Sequence, residues 1–237
     1  MPELTNAIVP PGISARKIEF DTSSIDLQTV ASELGLLQLG NWEPLDFKIN
    51  VHQFMKEISM FDDDWVDYLP RTDSKNNRKA LVLSNLPGKD HTVNPSQAQA
   101  SVEAKRKVSE IEFNQPTEVW QTCKSLHPLL ESFSPLGRTF LVKCNQGGYF
   151  MPHRDHPTLP RDTFRIAVFL NKCEMYEYDW LIDDKKMPIE IGRAYYINTR
   201  KMHRTISWVD NSIHLIINVP FSPDNVAKCI SHLHHRH

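Results

Sequence analysis

The sequence has no apolar run of about 18 residues, so no transmembrane helix is expected. It has no C-x-x-C pair. Its four cysteines, Cys123, Cys144, Cys173 and Cys229, are widely scattered, which argues against a disulfide framework and suits free thiols in a reducing compartment. It has little net charge, −2, and so no basic field that would make nucleic acid a dominant partner. Glycine is scarce: eight glycines against sixteen prolines point to stiff loops around short strands rather than a helical bundle. The opening "MPELTNAIVPPGIS" lacks the charged and apolar regions of a signal peptide. The expectation is a soluble, cytoplasmic protein with no membrane or nucleic-acid partner; the oligomeric state is left open.

What is present is an ordinary globular balance, 40% hydrophobic and 24% charged, over 237 residues, enough for one large domain or a domain with a small lobe. Residues 1–25 are Pro-rich and polar and read as an extended arm. "SIDLQTVASELGLLQL" places Leu27, Val30, Leu34 and Leu37 at helical spacing behind a Ser/Asp start, so a helix is expected. "LDFKINVHQFM" alternates like a strand, and Ala80 to Leu83 forms a second strand candidate. "ASVEAKRKVSEIEF" has weak helical spacing. "PTEVWQTCKSLHPLLESF" sets Val119, Trp120, Cys123, Leu126 and Leu130 on one helical face, with Pro128 expected to kink its last turns. The tail "SHLHHRH" reads as a mobile surface end.

From Gly137 the texture changes. Short apolar runs follow one another: "RTFLVKC", "YFMPHRD", "FRIAVFLN", "YDWLIDD", "MPIEI", "RAYYINT", "RTISWV" and "SIHLIINVPF". Turns separate them at short, fairly even intervals, a cadence that predicts an antiparallel sandwich or jelly roll rather than βαβ units. The fold expected is mainly β with flanking helices around a double-stranded β-helix core. Its parts are an N-terminal helix-containing segment (1–135), a core (136–222) and a C-terminal tail (223–237).

The stretch "GGYFMPHRDHPTLPRDTFRI", residues 147 to 166, concentrates two histidines, an aspartate and two arginines between these runs. A kinase catalytic loop would need Asn five residues after Asp155, where Pro160 stands, and no G-x-G-x-x-G, D-F-G or A-P-E accompanies it. A metal site fits better. Residues i and i+2 of a strand share a face, so His153 and Asp155 would project together and Arg154 away. His156 adjoins Asp155 and would face away; His203 or His214 would supply a third ligand from a later strand. Two histidines and one carboxylate leave three positions of an octahedron open, the arrangement of non-haem Fe(II) oxygenases. Against this stands an ordinary polar turn with a surface His–Asp hydrogen bond. Arg165, alternating with Ala167 and Phe169 in an apolar strand, requires an anionic partner. His214 reads equally as a hydrogen-bonded core histidine, and Trp180, Tyr195 and Tyr196 read as core packing.

"FLVKCNQGGYFMPHRDHP…FRIAVFLN" followed by "WLIDDKKMPIEIGRAYYINTRKMHRTISWVDNSIHLIINV" resembles the aspartyl/asparaginyl β-hydroxylase-like 2-oxoglutarate/Fe(II) oxygenases, a grouping that includes proline cis-hydroxylases. The resemblance covers roughly residues 136 to 222. It implies His153, Asp155 and His203 as catalytic iron ligands and Arg165 as a contact of a cofactor or substrate carboxylate. The cofactors implied are Fe(II) and 2-oxoglutarate, with ascorbate as reductant. The reaction implied is hydroxylation of a free amino acid or of an Asp, Asn or Pro side chain in a protein. Two departures stand out. Ser212 occupies the place of the family's arginine that grips the far carboxylate of 2-oxoglutarate, with His214 keeping the second position of that motif. Ala167 replaces a histidine two residues after Arg165. Arg165, Ser212 and His214 are therefore the candidate cofactor-binding positions, and His214, Lys143 and Arg204 join Arg165 as stand-ins for the missing arginine. The competing reading is a cupin-like metal-binding or sensor module without oxygenase activity, and a third is an interaction protein acting through the first half.

Overall fold

Successive strands from Thr139 onward alternate between two facing sheets. The computed structural model describes residues 31, 34–68, 77–133, 135–155 and 162–234. Its strands, in chain order, are β1 (Trp42–Lys48), β2 (Val66–Asp67), β3 (Arg78–Asn85), β4 (Gln115–Pro116), β5 (Thr139–Cys144), β6 (Tyr149–His153), β7 (Thr163–Asn171), β8 (Tyr178–Ile182), β9 (Lys185–Lys186), β10 (Arg193–Ile197), β11 (His203–Ser207) and β12 (Ser212–Pro220). The α-helices are α1 (Val51–Ile58), α2 (Gln97–Ala104), α3 (Glu118–Thr122), α4 (His127–Ser132) and α5 (Pro223–Ser231). The large sheet runs β1-β10-β7-β12-β5-β3-β2, with β4 beside β3; the small one runs β6-β11-β8-β9. From β5 to β12 the chain deals strands β5, β7, β10 and β12 to the large sheet and β6, β8, β9 and β11 to the small one. That is a double-stranded β-helix, mainly β with flanking helices, as the cadence predicts.

Period-two patterning sets which side chains reach the space between the sheets. In β7 the residues Phe164, Ile166, Val168 and Leu170 pack into one apolar cluster together with helix residues such as Phe54, Val119 and Leu129. Ala167 and Phe169 belong to the other cluster, with Tyr178 and Trp180 of the small sheet. A strand covered on both faces reads as a nearly continuous apolar run, which is how "FRIAVFLN" reads. Phe169 is fully buried, with ring centroids 6.3, 5.5 and 6.0 Å from those of Tyr178, Trp180 and Tyr195. Such pairs contribute about 0.5–1.5 kcal/mol each beyond their buried area, and the two with Tyr178 and Trp180 clamp one sheet to the other. Tyr195 and Tyr196 are buried as expected of core residues.

Several local expectations change. "LDFKINVHQFM" divides: β1 ends at Lys48, and the Asn50 side chain accepts a hydrogen bond from Gln53 N at 3.1 Å to cap α1. Phe54 and Ile58, one turn apart, then bury the helix against the core. The single helix expected over 116–133 is broken at Cys123, whose φ of −78° and ψ of 67° are not helical. Pro128 lies in the first turn of α4, where its missing N–H costs nothing, so it starts a helix rather than kinking one. "MPIEI" forms no strand; β9 is Lys185–Lys186 instead, and Pro188 has no N–H for a ladder. Ala31 and residues 34–37 are helical, whereas Leu27, Val30 and the expected arm at 1–25 lie outside the described residues.

The C-terminal end is docked rather than mobile through His234. Its backbone N–H donates to Pro44 O at 2.8 Å, Leu233 bridges Leu45, and the His232 ring lies 4.3 Å from that of Phe47. First-half strands complete the large sheet: β1 pairs with β10, and β3 with β5.

Candidate metal centre and its cavity

The turn between β5 and β6 needs its glycines. Gly147 has φ +77°, and a Cβ on Gly148 would sit 2.9 Å from both Asn145 O and Asn77 O. The turn launches β6, an edge strand, whose last residue is His153. Across the ladder His153 faces His203, the first residue of β11, and a register shift separates that pair from Phe150 opposite Thr205. Pro152 lies within this bulge on an edge strand, where a residue without an N–H is tolerated. The bulge brings the two imidazoles together, ring centroids 4.2 Å apart.

Asp155 joins them by a different route from the one expected. The strand ends at His153, so strand alternation does not place the aspartate. Its backbone N–H instead donates to Thr199 O at 3.0 Å, tying the bend after β6 to the segment after β10. Its carboxylate lies 3.4 Å (Oδ1) from His153 Nε2 and 4.0 Å (Oδ2) from His203 Nε2. One ligand atom from each of His153, Asp155 and His203 falls within 4.8 Å of the others. Arg154 is exposed yet contributes to the cavity rim, and His156 lies outside the described residues.

The protonation of the site points to a cation. His153 Nδ1 lies 2.7 Å from Met151 O and His203 Nδ1 3.0 Å from Lys201 O. A carbonyl only accepts, so both Nδ1 atoms carry hydrogen, and in the neutral rings both Nε2 atoms are lone pairs facing a carboxylate. Lone pairs converging on an anion repel unless a proton or a metal ion lies among them. The hydrogen bond with Asp155 accordingly raises the pKa of His153. His203 behaves oppositely: burial pushes it down to about 4, against the pull of Asp155, so it stays neutral and available as a ligand. Burial would raise Asp155, but the Arg165 guanidinium, the His153 hydrogen bond and the imidazoles hold it well below the usual carboxylate range. Two neutral-capable imidazoles and one ionised carboxylate fit a divalent transition metal.

These groups line a cavity of about 310 Å³ between the sheets. Arg165 is on its wall, and the anionic partner it requires is Asp155: Nη1 lies 2.5 Å from Oδ2, and Nε and Nη2 donate to Asn218 Oδ1 at 3.3 and 3.2 Å. His214 and Trp180 are also on the wall, so Trp180 does more than pack the core. Ser212 is not brought to the cavity. It is fully buried, its hydroxyl donating to Lys172 O at 2.6 Å and lying 2.7 Å from Ser207 Oγ, where it closes a turn. Lys143 lies over the Trp65 ring and Arg204 beside Asp184; neither lines the cavity.

A second buried ion pair lines the same cavity. Arg138 Nη2 donates to Glu110 Oε1 at 2.5 Å, Nη1 donates to Pro95 O at 3.2 Å, and Thr163 Oγ1 donates to Glu110 Oε2 at 2.5 Å. Burial works against the ionised Glu110, but Arg138, Arg165 and Thr163 hold its pKa below the ordinary value. Neither residue is prominent in the sequence. Arg138 had a usable signal, a lone arginine heading the apolar run "RTFLVKC", the same logic that picks out Arg165. Glu110 had none, since it lies in a segment rich in charge.

No family model matches the chain, and no curated protein does. Among solved structures it is similar to a Pseudomonas putida prolyl-4-hydroxylase, at 11% identity over 83% of this chain and 100% of that one, with a TM-score of 0.44. It is similar to a Trichoplax adhaerens prolyl hydroxylase solved with a hypoxia inducible factor oxygen degradation domain peptide fragment, at 10% identity over 84% and 93%, TM-score 0.45. It is also similar to KdgF from Halomonas sp., at 16% identity over 37% and 71%, TM-score 0.27. These likenesses concern the arrangement of the strands.

Proposed function

We propose that the chain is an Fe(II)- and 2-oxoglutarate-dependent dioxygenase that hydroxylates an amino acid or a protein side chain of the Asp, Asn or Pro type. On this reading it belongs with the aspartyl/asparaginyl β-hydroxylase-like enzymes, with residues 136–222 as the oxygenase core and 1–135 and 223–237 framing it. The observation that carries the reading is the convergence of His153 Nε2, His203 Nε2 and the Asp155 carboxylate at the wall of the cavity between the sheets. Two imidazoles and a carboxylate are the donor set that leaves an iron ion with positions for a chelating 2-oxo acid and dioxygen. Bound iron and 2-oxoglutarate would supply the oxidising power to attack an unactivated C–H bond, with ascorbate as reductant.

The chain's own residues do the rest. The carbonyls of Met151 and Lys201 fix the two imidazole tautomers. Arg165 holds Asp155 ionised and in place. Phe140, Val142, Phe150 and Ile216 on the cavity wall keep water away from the reacting atoms. The four cysteines are free and buried, which suits the reducing setting of a cytoplasmic enzyme.

The test is succinate formation from 2-oxoglutarate with Fe(II) and ascorbate. Uncoupled turnover that disappears in His153→Ala and Asp155→Ala is the expected result. Metal bound by the wild type with no succinate formed and no 2-oxoglutarate bound would leave the cupin-like metal-binding or sensor reading in its place.

A further inference from the structure

Among the described residues eleven buried side-chain nitrogen or oxygen atoms lack a hydrogen bond, and five belong to residues that line this one cavity: Arg138 Nε, Asp155 Oδ2, Trp180 Nε1, Thr205 Oγ1 and His214 Nδ1. Asp155 Oδ2 is compensated by the Arg165 charge. Trp180 and His214 have no such compensation and Thr205 has only the Tyr178 hydroxyl beside it, although Trp180, His214 and Thr205 are only 3%, 2% and 6% exposed. An under-paired buried polar group is costly, and three converging from two facing sheets mark a place where a ligand atom belongs.

The strand registers put the three together. Thr205 and Trp180 are direct partners on neighbouring strands β11 and β8. His214 faces them from β12 in the other sheet, its ring centroid 5.8 Å from that of Trp180 in an edge-on arrangement. Trp180 in turn stacks on His203, 6.5 Å centroid to centroid at 20°. Tyr178 meets Thr205 hydroxyl to hydroxyl behind them, and when the phenol donates, the threonine keeps its own proton for a ligand. The indole N–H is then one donor, the threonine hydroxyl a second, and His214 Nδ1 becomes a third in one tautomer. None carries charge: burial pushes His214 down to about 3, so its ring is neutral. The positive fields of Arg165 and Arg78 both reach His214 and oppose its protonation, and the same fields favour an anion there.

Resting on the oxygenase reading, we infer that Trp180, Thr205 and His214 form an uncharged cradle that binds the far carboxylate of the 2-oxo acid, in place of a contacting arginine. Spacing supports it. Thr205 follows the metal ligand His203 by two residues on the same strand face, about 6.6 Å along the strand. That separation suits a short dicarboxylate chelated to the metal through its 2-oxo end.

The experiment is titration calorimetry of Mn(II)-loaded protein with 2-oxoglutarate and, separately, with pyruvate, which has the same chelating end and no far carboxylate. Thr205→Val keeps the side chain's shape, Trp180→Phe keeps an aromatic ring, and each removes one donor. Each is expected to weaken 2-oxoglutarate about tenfold, the loss of one hydrogen bond to a charged group, while leaving Mn(II) and pyruvate affinities unchanged. Unchanged 2-oxoglutarate affinity in both variants, or a parallel loss of pyruvate binding, would overturn the cradle and leave the oxygenase reading standing. Wild-type protein that binds Mn(II) but neither 2-oxo acid would overturn both.

Discussion

Two buried carboxylates stand on the same cavity wall, each beside an arginine, and they are finished differently. Glu110 has both oxygens hydrogen-bonded, one to Arg138 and one to Thr163. Asp155 has an arginine against Oδ2 without a hydrogen bond to it, and two imidazole nitrogens facing it. In the first pair the carboxylate is complete, with no oxygen left over, although Arg138 keeps a buried Nε–H without an acceptor. The second has surplus lone pairs, which a proton or a metal ion among them would complete. Proximity to a cavity, burial and a depressed pKa are common to both, so none of these separates a structural ion pair from a metal centre. The state of the carboxylate oxygens does: Glu110 has none unsatisfied and Asp155 has one.

The comparison is open to breaking, and the largest effect belongs to the complete pair. Arg138→Met leaves Glu110 buried without its main partner and is expected to cost about 3–5 kcal/mol of stability, read by urea unfolding at neutral pH. Little loss would mean that Glu110 is as dispensable to the fold as Asp155. For Asp155→Asn the expectation reverses. Mn(II) affinity should fall by more than the roughly 10–100-fold lost when an outer partner of a metal ligand is removed, while the metal-free fold loses less urea stability than in Arg138→Met, because Arg165 keeps its hydrogen bonds to Asn218. Calorimetry on the folded variant measures it.

Acid titration gives a smaller effect. His214 titrates near 6.5 when unfolded and near 3 when folded. As pH falls through that window the unfolded chain takes up a proton that the folded one refuses, so stability is lost on acidification. His203 adds to the same limb down to about 4. His153, raised by Asp155, works the other way: its contribution is present at low pH and lost as pH rises through its folded value. In metal-free His214→Leu the acid limb of a stability-against-pH curve should be shallower; an unchanged slope would show that burial does not keep this ring neutral. The smallest effects are expected at Lys143 and Arg204, once candidates for the arginine's role. Replacing either with Ala should shift stability by less than about 0.5 kcal/mol and leave 2-oxoglutarate affinity alone.

What was legible in the chain was local. The even spacing of apolar runs after Gly137 encodes the β-helix, because each strand is short and each turn falls within a few residues. H-x-D and the later His203 were legible because their donor chemistry is unusual among apolar neighbours. Asp155 was identified for a reason the fold does not use, since a backbone bond to Thr199 holds it and not strand alternation. Glu110, Arg138 and the role of Trp180 were hidden because each depends on a partner far away in the chain. The division of "LDFKINVHQFM" was hidden too: an alternating pattern continues past Lys48, and only the Asn50 cap marks the change. Ser212 illustrates the converse. Its position in a motif suggested a cofactor contact, while its hydroxyl is spent on Lys172 O and on Ser207 across the turn between β11 and β12.

The pairing of early strands with late ones bears on how the molecule is made. β1 meets β10 with Trp42 opposite Ile197, so at about 5–20 residues per second of synthesis it waits on the order of ten seconds for its partner. β3 waits a shorter time for β5, with four consecutive buried residues, Ala80 to Leu83, still uncovered. The nascent chain therefore carries an unpaired apolar edge through much of its birth, and its yield in a cell will depend on how well that edge is shielded until the second half arrives.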